Sequence, residues 1–186
     1  MPNKEQVNKF EELFYSIPKY ARDIQVNIRT VLNPDNAPLD QKLLIGIALA
    51  AGYAARNSKV EEALLETAES LLDAKTLGAI KSANAIMAMS NMYHRFTSLV
   101  SDAEYAKLPI GLRMNVVGDY GIEKREFELY SLAISVVNGC RVSIDTHERS
   151  LKKEGVRREQ IQHVAKIASV IYALSRVIEM DNSANL

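Results

Sequence analysis

Hydrophobic residues recur with helical spacing along much of the chain. Val7, Phe10 and Phe14 lie three and four residues apart, and the same spacing links Ile161, Val164, Ala165, Ala168 and Ile171. The five prolines leave two proline-free stretches, 39–108 and 110–186, that are rich in good helix formers. Turn signals lie at 33–38, 119–121 and 153–155, and the short alternating segment 114–117 is interpreted as a loop or a helical turn. The pattern predicts an all-α, multihelical fold.

A shift of 85 positions aligns two parts of the sequence. Residues 81–90 then fall on 166–175 with five identities, and the same shift puts Leu44, Ile47 and Ala48 on Leu129, Leu132 and Ala133. Because one offset serves both ends, two similar helical units are favoured over chance matching between Ala-rich segments. We therefore expect a single domain, 1–186, with an N-terminal helical arm (1–38), a first repeat (39–100), a connector (101–121) and a second repeat (122–186).

Charge and hydropathy narrow the class of protein. The 186 residues include 23 basic and 23 acidic side chains, whereas general binders of nucleic acid or anionic membranes carry a clear Lys/Arg excess. The longest uncharged apolar run, 43–55, is shorter than the roughly 20 residues of a membrane span and predicts a helix buried in protein. The single cysteine fits a reducing compartment. We expect a cytoplasmic protein that binds neither nucleic acid nor membrane.

Candidate chemistry centres on the only cysteine. The turn dipeptide Asn138–Gly139 predicts the end of one helix, so that the next begins at or near Cys140. Cys140, Ser143 and His147 then lie on one helix face at i, i+3 and i+7. The partial positive charge of a helix N-terminus stabilises an anion such as a thiolate. Glu128, taken to open the preceding helix, could accept or relay a proton if the two helices pack side by side.

Each of these residues also has an ordinary structural interpretation. Cys140 could be a small buried side chain, Ser143 a first-turn serine bonded to backbone, Glu128 a solvated carboxylate and His147 a half-buried structural histidine. Other motifs are weaker. Neither of the two remaining histidines follows a Glu at the Glu-x-x-His spacing of di-iron helix bundles. The sequence also has no Gly-rich phosphate-binding loop, no Cys/His spacing typical of a zinc site and no Gly-x-Ser-x-Gly nucleophile elbow. No metal and no cofactor are predicted.

Glu128, Cys140, Ser143 and His147 resemble the active-site pattern of the alkylhydroperoxidase AhpD family, within the carboxymuconolactone decarboxylase-like superfamily. That pattern is a Glu, eleven residues, Cys-x-x-Cys, three residues and a His, and these spacings are kept here. The resemblance covers nearly the whole chain, including segments 85–92, 111–115 and 127–131. One position departs from the pattern, because Ser143 stands where the family has its second cysteine.

The resemblance implies an antioxidant enzyme that reduces organic hydroperoxides to alcohols with a dithiol and no cofactor. It implies a homotrimer, rereduction by a dihydrolipoamide-bearing protein, and a thiol relay to a peroxiredoxin of the alkyl hydroperoxide reductase C type. Cys140 matches the cysteine that closes the disulfide, and His147 and Glu128 match the proton relay. Ser143 occupies the position of the attacking thiol, but an alcohol can neither attack the peroxide efficiently nor close a disulfide. We expect the chain as given to be inactive or strongly impaired.

Two origins of Ser143 remain open. An engineered, near-isosteric replacement of cysteine is favoured because Glu128, Cys140 and His147 are intact, whereas a decayed site would be expected to drift elsewhere too. The other is a natural one-cysteine variant, acting as a thiol adaptor or a scaffold. A non-enzymatic helical interaction module with Cys140 merely buried is the alternative function. A decarboxylase-like activity is disfavoured, since the Cys-bearing pattern matches the hydroperoxidase branch.

The redox interpretation also makes a geometric prediction about the site. The thiol, the imidazole and the carboxylate should converge in a partly exposed apolar pocket. The side chains expected to wall this pocket are Phe127, Tyr130, Met87 and Met92.

Overall fold

Helices are the regular secondary structure of the computed structural model, which describes residues 8–115 and 121–183. No strand occurs among these residues, so the predicted all-α fold is confirmed. The α-helices are α1 (Lys9–Tyr15), α2 (Arg22–Val31), α3 (Gln41–Ala55), α4 (Ser58–Glu69), α5 (Ala74–Leu99), α6 (Lys124–Asn138), α7 (Arg141–Lys153) and α8 (Arg158–Ser183). Short 3₁₀ segments occur at Lys19–Ala21 and Ala103–Lys107.

The predicted turns can be compared with this structure directly. The segments 33–38 and 153–155 contain turns between helices, as predicted. Residues 116–120 lie outside the described residues, and they include parts of the predicted turn at 119–121 and of the segment 114–117.

The helix order α3–α4–α5 recurs as α6–α7–α8. Each helix of the second set begins 83 or 84 residues after its counterpart in the first. The 85-residue shift found in the sequence therefore differs by one residue from the offset between the starts of the long helices α5 and α8. It differs by two residues from the offset between the starts of α3 and α6. The left-handed residues Arg56 and Gly139, which end α3 and α6, are 83 positions apart. Because α3 is apolar along most of its length, hydrophobic matching could not fix its register.

Helix α3 forms the centre of the fold, and its burial confirms the prediction of a buried helix for the apolar run 43–55. Asp40 caps its start by accepting the backbone N–H of Leu43 at 3.0 Å, and every residue from Leu43 to Gly52 is buried. The helix packs against α4, α5, α6 and α8. A Cβ at Gly46 would lie 2.7 Å from the Tyr130 ring, so glycine permits the close approach of α6. This contact fixes the helix that carries the candidate site.

Helix α8 is the longer apolar element. By length and composition its residues Arg158–Asp181 could cross a membrane, although 56% of its most apolar window is buried inside the protein, as in a core helix. Helix α8 does not stand out as an uncharged apolar run in the sequence, because charged side chains interrupt the helix. The expectation that the chain binds no membrane stays a prediction.

Candidate active site

The turn between α6 and α7 fixes the backbone of the cysteine. Gly139 is left-handed (φ +65°), a conformation that glycine adopts without a Cβ clash. Its N–H donates to the carbonyl of Val136, and the N–H of Cys140 donates to that of Ser135, both at 3.1 Å. The carbonyl of Cys140 accepts the N–H of Ile144 at 2.9 Å, which begins α7. Both helices therefore hold the Cys140 backbone, as the sequence predicted for this junction.

The position of Glu128 in its helix differs from the expectation. Helix α6 begins at Lys124, so Glu128 lies more than a turn inside it and does not open it. The prediction was wrong because it placed the helix start at the apolar run, whereas the charged residues 124–126 already form the first turn. At this place in the helix the Glu128 side chain is buried rather than solvated.

The predicted site residues form two polar pairs. The thiol of Cys140 lies 3.3 Å from the hydroxyl oxygen of Ser143. The Nδ1 atom of His147 lies 2.7 Å from the Oε2 atom of Glu128, which ties α7 to α6. The Nε2 atom of the same ring lies 3.2 Å from the sulfur of Met87 on α5. Three helices thus meet at His147, and within the described contacts no hydrogen bond joins one pair to the other.

The bond to Glu128 determines how the imidazole can act. A carboxylate accepts, so the Nδ1–H of His147 donates to Glu128 and the ring is oriented by this bond. Nε2 is then the nitrogen left to take or give a proton. It faces the sulfur of Met87, which is a weak acceptor.

The start of α7 lacks a side-chain cap. Cys140 is the N-cap residue, and its side chain makes no capping hydrogen bond to the first turn. Backbone N–H groups at a helix start point toward this position, and together with the helix dipole they stabilise negative charge there. The start of α7 therefore has backbone N–H groups that the Cys140 side chain does not cap.

The four side chains are nearly closed off from solvent. Cys140 is 3% exposed, Ser143 is 5% exposed, and Glu128 and His147 are 9% exposed. The prediction of a partly exposed pocket is wrong for the single chain, because α5 and α6 pack directly over this face of α7.

The predicted walls of the pocket differ in their placement. Met87 contacts His147, as expected, and Phe127 is buried in the hydrophobic core. Tyr130 instead points at Gly46 of α3, and burial raises the pKa of its hydroxyl. Met92 is exposed and lines a cavity to which none of the four site residues contributes. Helical spacing alone does not say which neighbour each face meets.

Sequence reasoning missed the polar contacts behind the turn. The Asn91 amide of α5 donates to the Ser135 hydroxyl of α6 at 3.3 Å, and the Ser135 carbonyl holds the N–H of Cys140. Arg95 of α5 donates to the carbonyl of Asn138. The available signal was Asn91 itself, a polar residue one turn beyond Met87.

Within residues 8–115 and 121–183, no group of three or more His, Cys, Asp or Glu side chains could hold a metal ion.

Comparison with known proteins identifies the family of the chain. Residues 103–180 match the model of the carboxymuconolactone decarboxylase family. A protein of Coxiella burnetii (strain RSA 493 / Nine Mile phase I) named alkyl hydroperoxide reductase AhpD is 46% identical over 167 residues, which span 89% of this chain and 94% of that protein. A protein of the same name from Streptomyces griseus is 45% identical over 171 residues, spanning 92% and 96% of the two chains. One from Rhodospirillum centenum is 43% identical over 171 residues, or 92% and 91%. The chain belongs to the AhpD family of alkyl hydroperoxide reductases, within the carboxymuconolactone decarboxylase family.

Proposed function

We propose that this chain carries the site of a thiol-dependent alkyl hydroperoxide reductase in a form disabled at Ser143. The observation that carries the proposal is the 3.3 Å contact between the Cys140 thiol and the Ser143 hydroxyl. A cysteine at 143 would bring a second sulfur to the same place, within reach of a disulfide after side-chain rotation. Its family membership supports the same reaction class.

In the proposed reaction, a thiolate at position 143 attacks the terminal oxygen of an organic hydroperoxide. The O–O bond breaks, the RO⁻ group takes a proton and leaves as the alcohol, and the sulfur becomes a sulfenic acid. The thiol of Cys140 then attacks that sulfur, a disulfide forms and water leaves. A dithiol reductant restores both thiols and is itself oxidised to a disulfide.

His147 and Glu128 are proposed to move the protons. The carboxylate orients the ring through Nδ1, so that Nε2 can accept a proton from a thiol and return it to the leaving oxygen. Because Nε2 faces Met87, the ring or the Met87 side chain has to shift during the cycle. Met87 has three rotatable bonds, so such a shift costs little.

We further propose the partners and setting implied by the family resemblance: a cytoplasmic homotrimer, a dihydrolipoamide-bearing reductant and a peroxiredoxin of the alkyl hydroperoxide reductase C type. Oligomerisation is supported by large hydrophobic side chains that stay exposed in the single chain near the end of α5 and after it. They are Phe96, Leu99, Leu108, Ile110 and Leu112.

The decisive experiment installs Ser143→Cys and measures reduction of cumene hydroperoxide with dihydrolipoamide. We expect turnover at least about 10³-fold above the chain as given, since the nucleophile is the missing part. The matched control is Ser150→Cys, which adds a thiol to the same helix away from Cys140. If Ser143→Cys is no faster than Ser150→Cys, the proposal is wrong.

One observation favours the alternative of a non-enzymatic helical scaffold, namely that Cys140 is only 3% exposed. The two functions differ in thiol reactivity. A site cysteine reacts rapidly with a thiol reagent in the native protein and slows when His147 is replaced, whereas a packed cysteine reacts only at the rate of unfolding.

A further inference from the structure

An open cavity adjoins the turn that carries Cys140. Its volume is about 310 Å³, and its walls come from the ends of α3 and α6 and from α5 and α8. Asn138 lines it and lies two residues before Cys140, so the two Cα atoms are at most about 7.6 Å apart. Ala88 lines it too, next to the Met87 that contacts His147. The cavity is thus the open space beside a site that is otherwise closed.

Three arginines from three helical elements line this cavity. Arg56 ends α3, Arg95 lies on α5, Arg176 lies on α8, and all three are exposed. None of the residues that line the cavity is acidic. In the described part of the chain, no salt bridge engages these arginines, although Arg95 donates to the Asn138 carbonyl. In a chain with equal numbers of acidic and basic residues, this is a local excess of positive charge.

Apart from the arginines and the amides of Asn91 and Asn138, the lining residues carry largely apolar side chains. They include Ala54, Ala55, Ala88, Met92, Val137 and Tyr172. A guanidinium group binds a carboxylate through two parallel hydrogen bonds, while an apolar wall takes the body of a ligand. A small inorganic anion would leave that wall unused. The combination fits a molecule with a negative head and a hydrocarbon chain.

We propose that this cavity binds the carboxylate of amphipathic organic acids of medium chain length. The arginines hold the head group, and the hydrocarbon chain lies along the wall formed by α5 and α6. A further consequence rests on the proposed function: hydroperoxides that carry a carboxylate are bound beside residues 140–143 and are preferred over uncharged ones.

Binding is tested without any catalysis on the chain as given, with decanoate as the probe in titration calorimetry. We expect decanoate to bind more tightly than decanol or inorganic phosphate, and Arg176→Gln to weaken it by about tenfold or more. The matched control is Arg22→Gln, an exposed arginine on α2. Equal affinity in Arg176→Gln and Arg22→Gln would overturn the proposal. Phosphate binding as tightly as decanoate would overturn its amphipathic part.

The kinetic arm uses Ser143→Cys with and without Arg176→Gln. For a hydroperoxide of a medium-chain fatty acid we expect KM to rise about tenfold with kcat unchanged, and for tert-butyl hydroperoxide we expect no change. An inactive Ser143→Cys variant contradicts the proposed function but leaves decanoate binding in place. Full turnover with no dependence on Arg176 contradicts the substrate preference alone.

Discussion

The junctions α3–α4 and α6–α7 share one backbone shape but carry different side chains. Each has a left-handed residue, Arg56 or Gly139, followed by an extended residue that begins the next helix. In the first junction, Asn57 caps α4 by accepting the N–H of Val60 at 3.2 Å. In the second, Cys140 provides no such cap. The same turn therefore stabilises a capped helix start in one unit. In the other unit it leaves the helix start without a side-chain cap and available to a reacting group.

The difference extends to the surrounding positions. Counted at the 83-residue offset of the junctions, buried apolar side chains of the first unit correspond to the polar site residues of the second. The pairs are Ile45 with Glu128, Val60 with Ser143, and Leu64 with His147. The fold thus provides a set of buried positions, and the second unit occupies them with polar side chains where the first has apolar ones.

The largest expected effect comes from giving the second unit the apolar residues of the first. Glu128→Ile removes the acceptor of the buried His147 Nδ1–H, and His147→Leu removes the donor to the buried carboxylate. We expect each single change to lower the free energy of unfolding by about 3 kcal/mol, because a buried polar group loses its partner. The double variant should lose at least about 1 kcal/mol less than the sum of the two. Urea unfolding measures all three.

Strictly additive losses would contradict this coupling and would mean that the 2.7 Å contact contributes nothing specific. Leu64→Ala serves as a control for packing in the first unit. Its loss should be similar in the chain as given and in the Glu128→Ile background, since Leu64 belongs to the other unit.

A smaller effect is expected from exchanging the two caps. Asn57→Cys loses the cap on α4 and the amide bonds to the Ser175 carbonyl (3.3 Å) and to Glu179 (3.0 Å), so we expect a loss of about 2 kcal/mol. Cys140→Asn supplies a cap to α7 and should gain about 1 kcal/mol. Thermal unfolding of both variants measures the asymmetry.

A control separates the cap from the other bonds of Asn57. Asn57→Asp keeps an oxygen for the Val60 N–H but brings a carboxylate to Glu179, so it should also destabilise the protein. If Cys140→Asn lowers stability, the contact of the thiol with Ser143 outweighs the missing cap. The interpretation of this helix start as available to a reacting group then fails.

Local features of the site were predictable from sequence. The dipeptide Asn138–Gly139 ends a helix because glycine adopts the left-handed backbone there, and residues 140, 143 and 147 share a face through helix geometry alone. The start of α6 was not predictable from hydrophobicity, since its first turn is charged. The resemblance to a family, more than any local pattern, led to Glu128 as the partner of His147.

Features that depend on packing between helices far apart in the sequence could not be predicted from the sequence. Whether Tyr130 turns toward the site or toward Gly46 depends on the register of α6 against α3, which no local pattern encodes. The arginines of the cavity are separated by 39 and 81 positions, and they come together only through the packing of α3, α5 and α8. The contact of the His147 ring with Met87 likewise depends on α5, which lies far away in sequence.

The smallest effect concerns Glu126, whose counterpart in the first unit is the buried Leu43. Burial raises the pKa of the Glu126 carboxyl; Arg125 opposes this rise and Asp40 adds to it. The folded protein then keeps a proton that the unfolded chain has already lost, so stability falls as pH rises through the window between the ordinary and the raised pKa, and the loss persists at neutral pH. Glu126→Gln should raise stability by less than about 0.5 kcal/mol at about pH 7, since the side chain is only partly buried, and by nothing at about pH 3. Thermal unfolding at both pH values measures this, with Glu12→Gln on the exposed face of α1 as the control. A gain of equal size at both pH values would show that charge on Glu126 is not the cause.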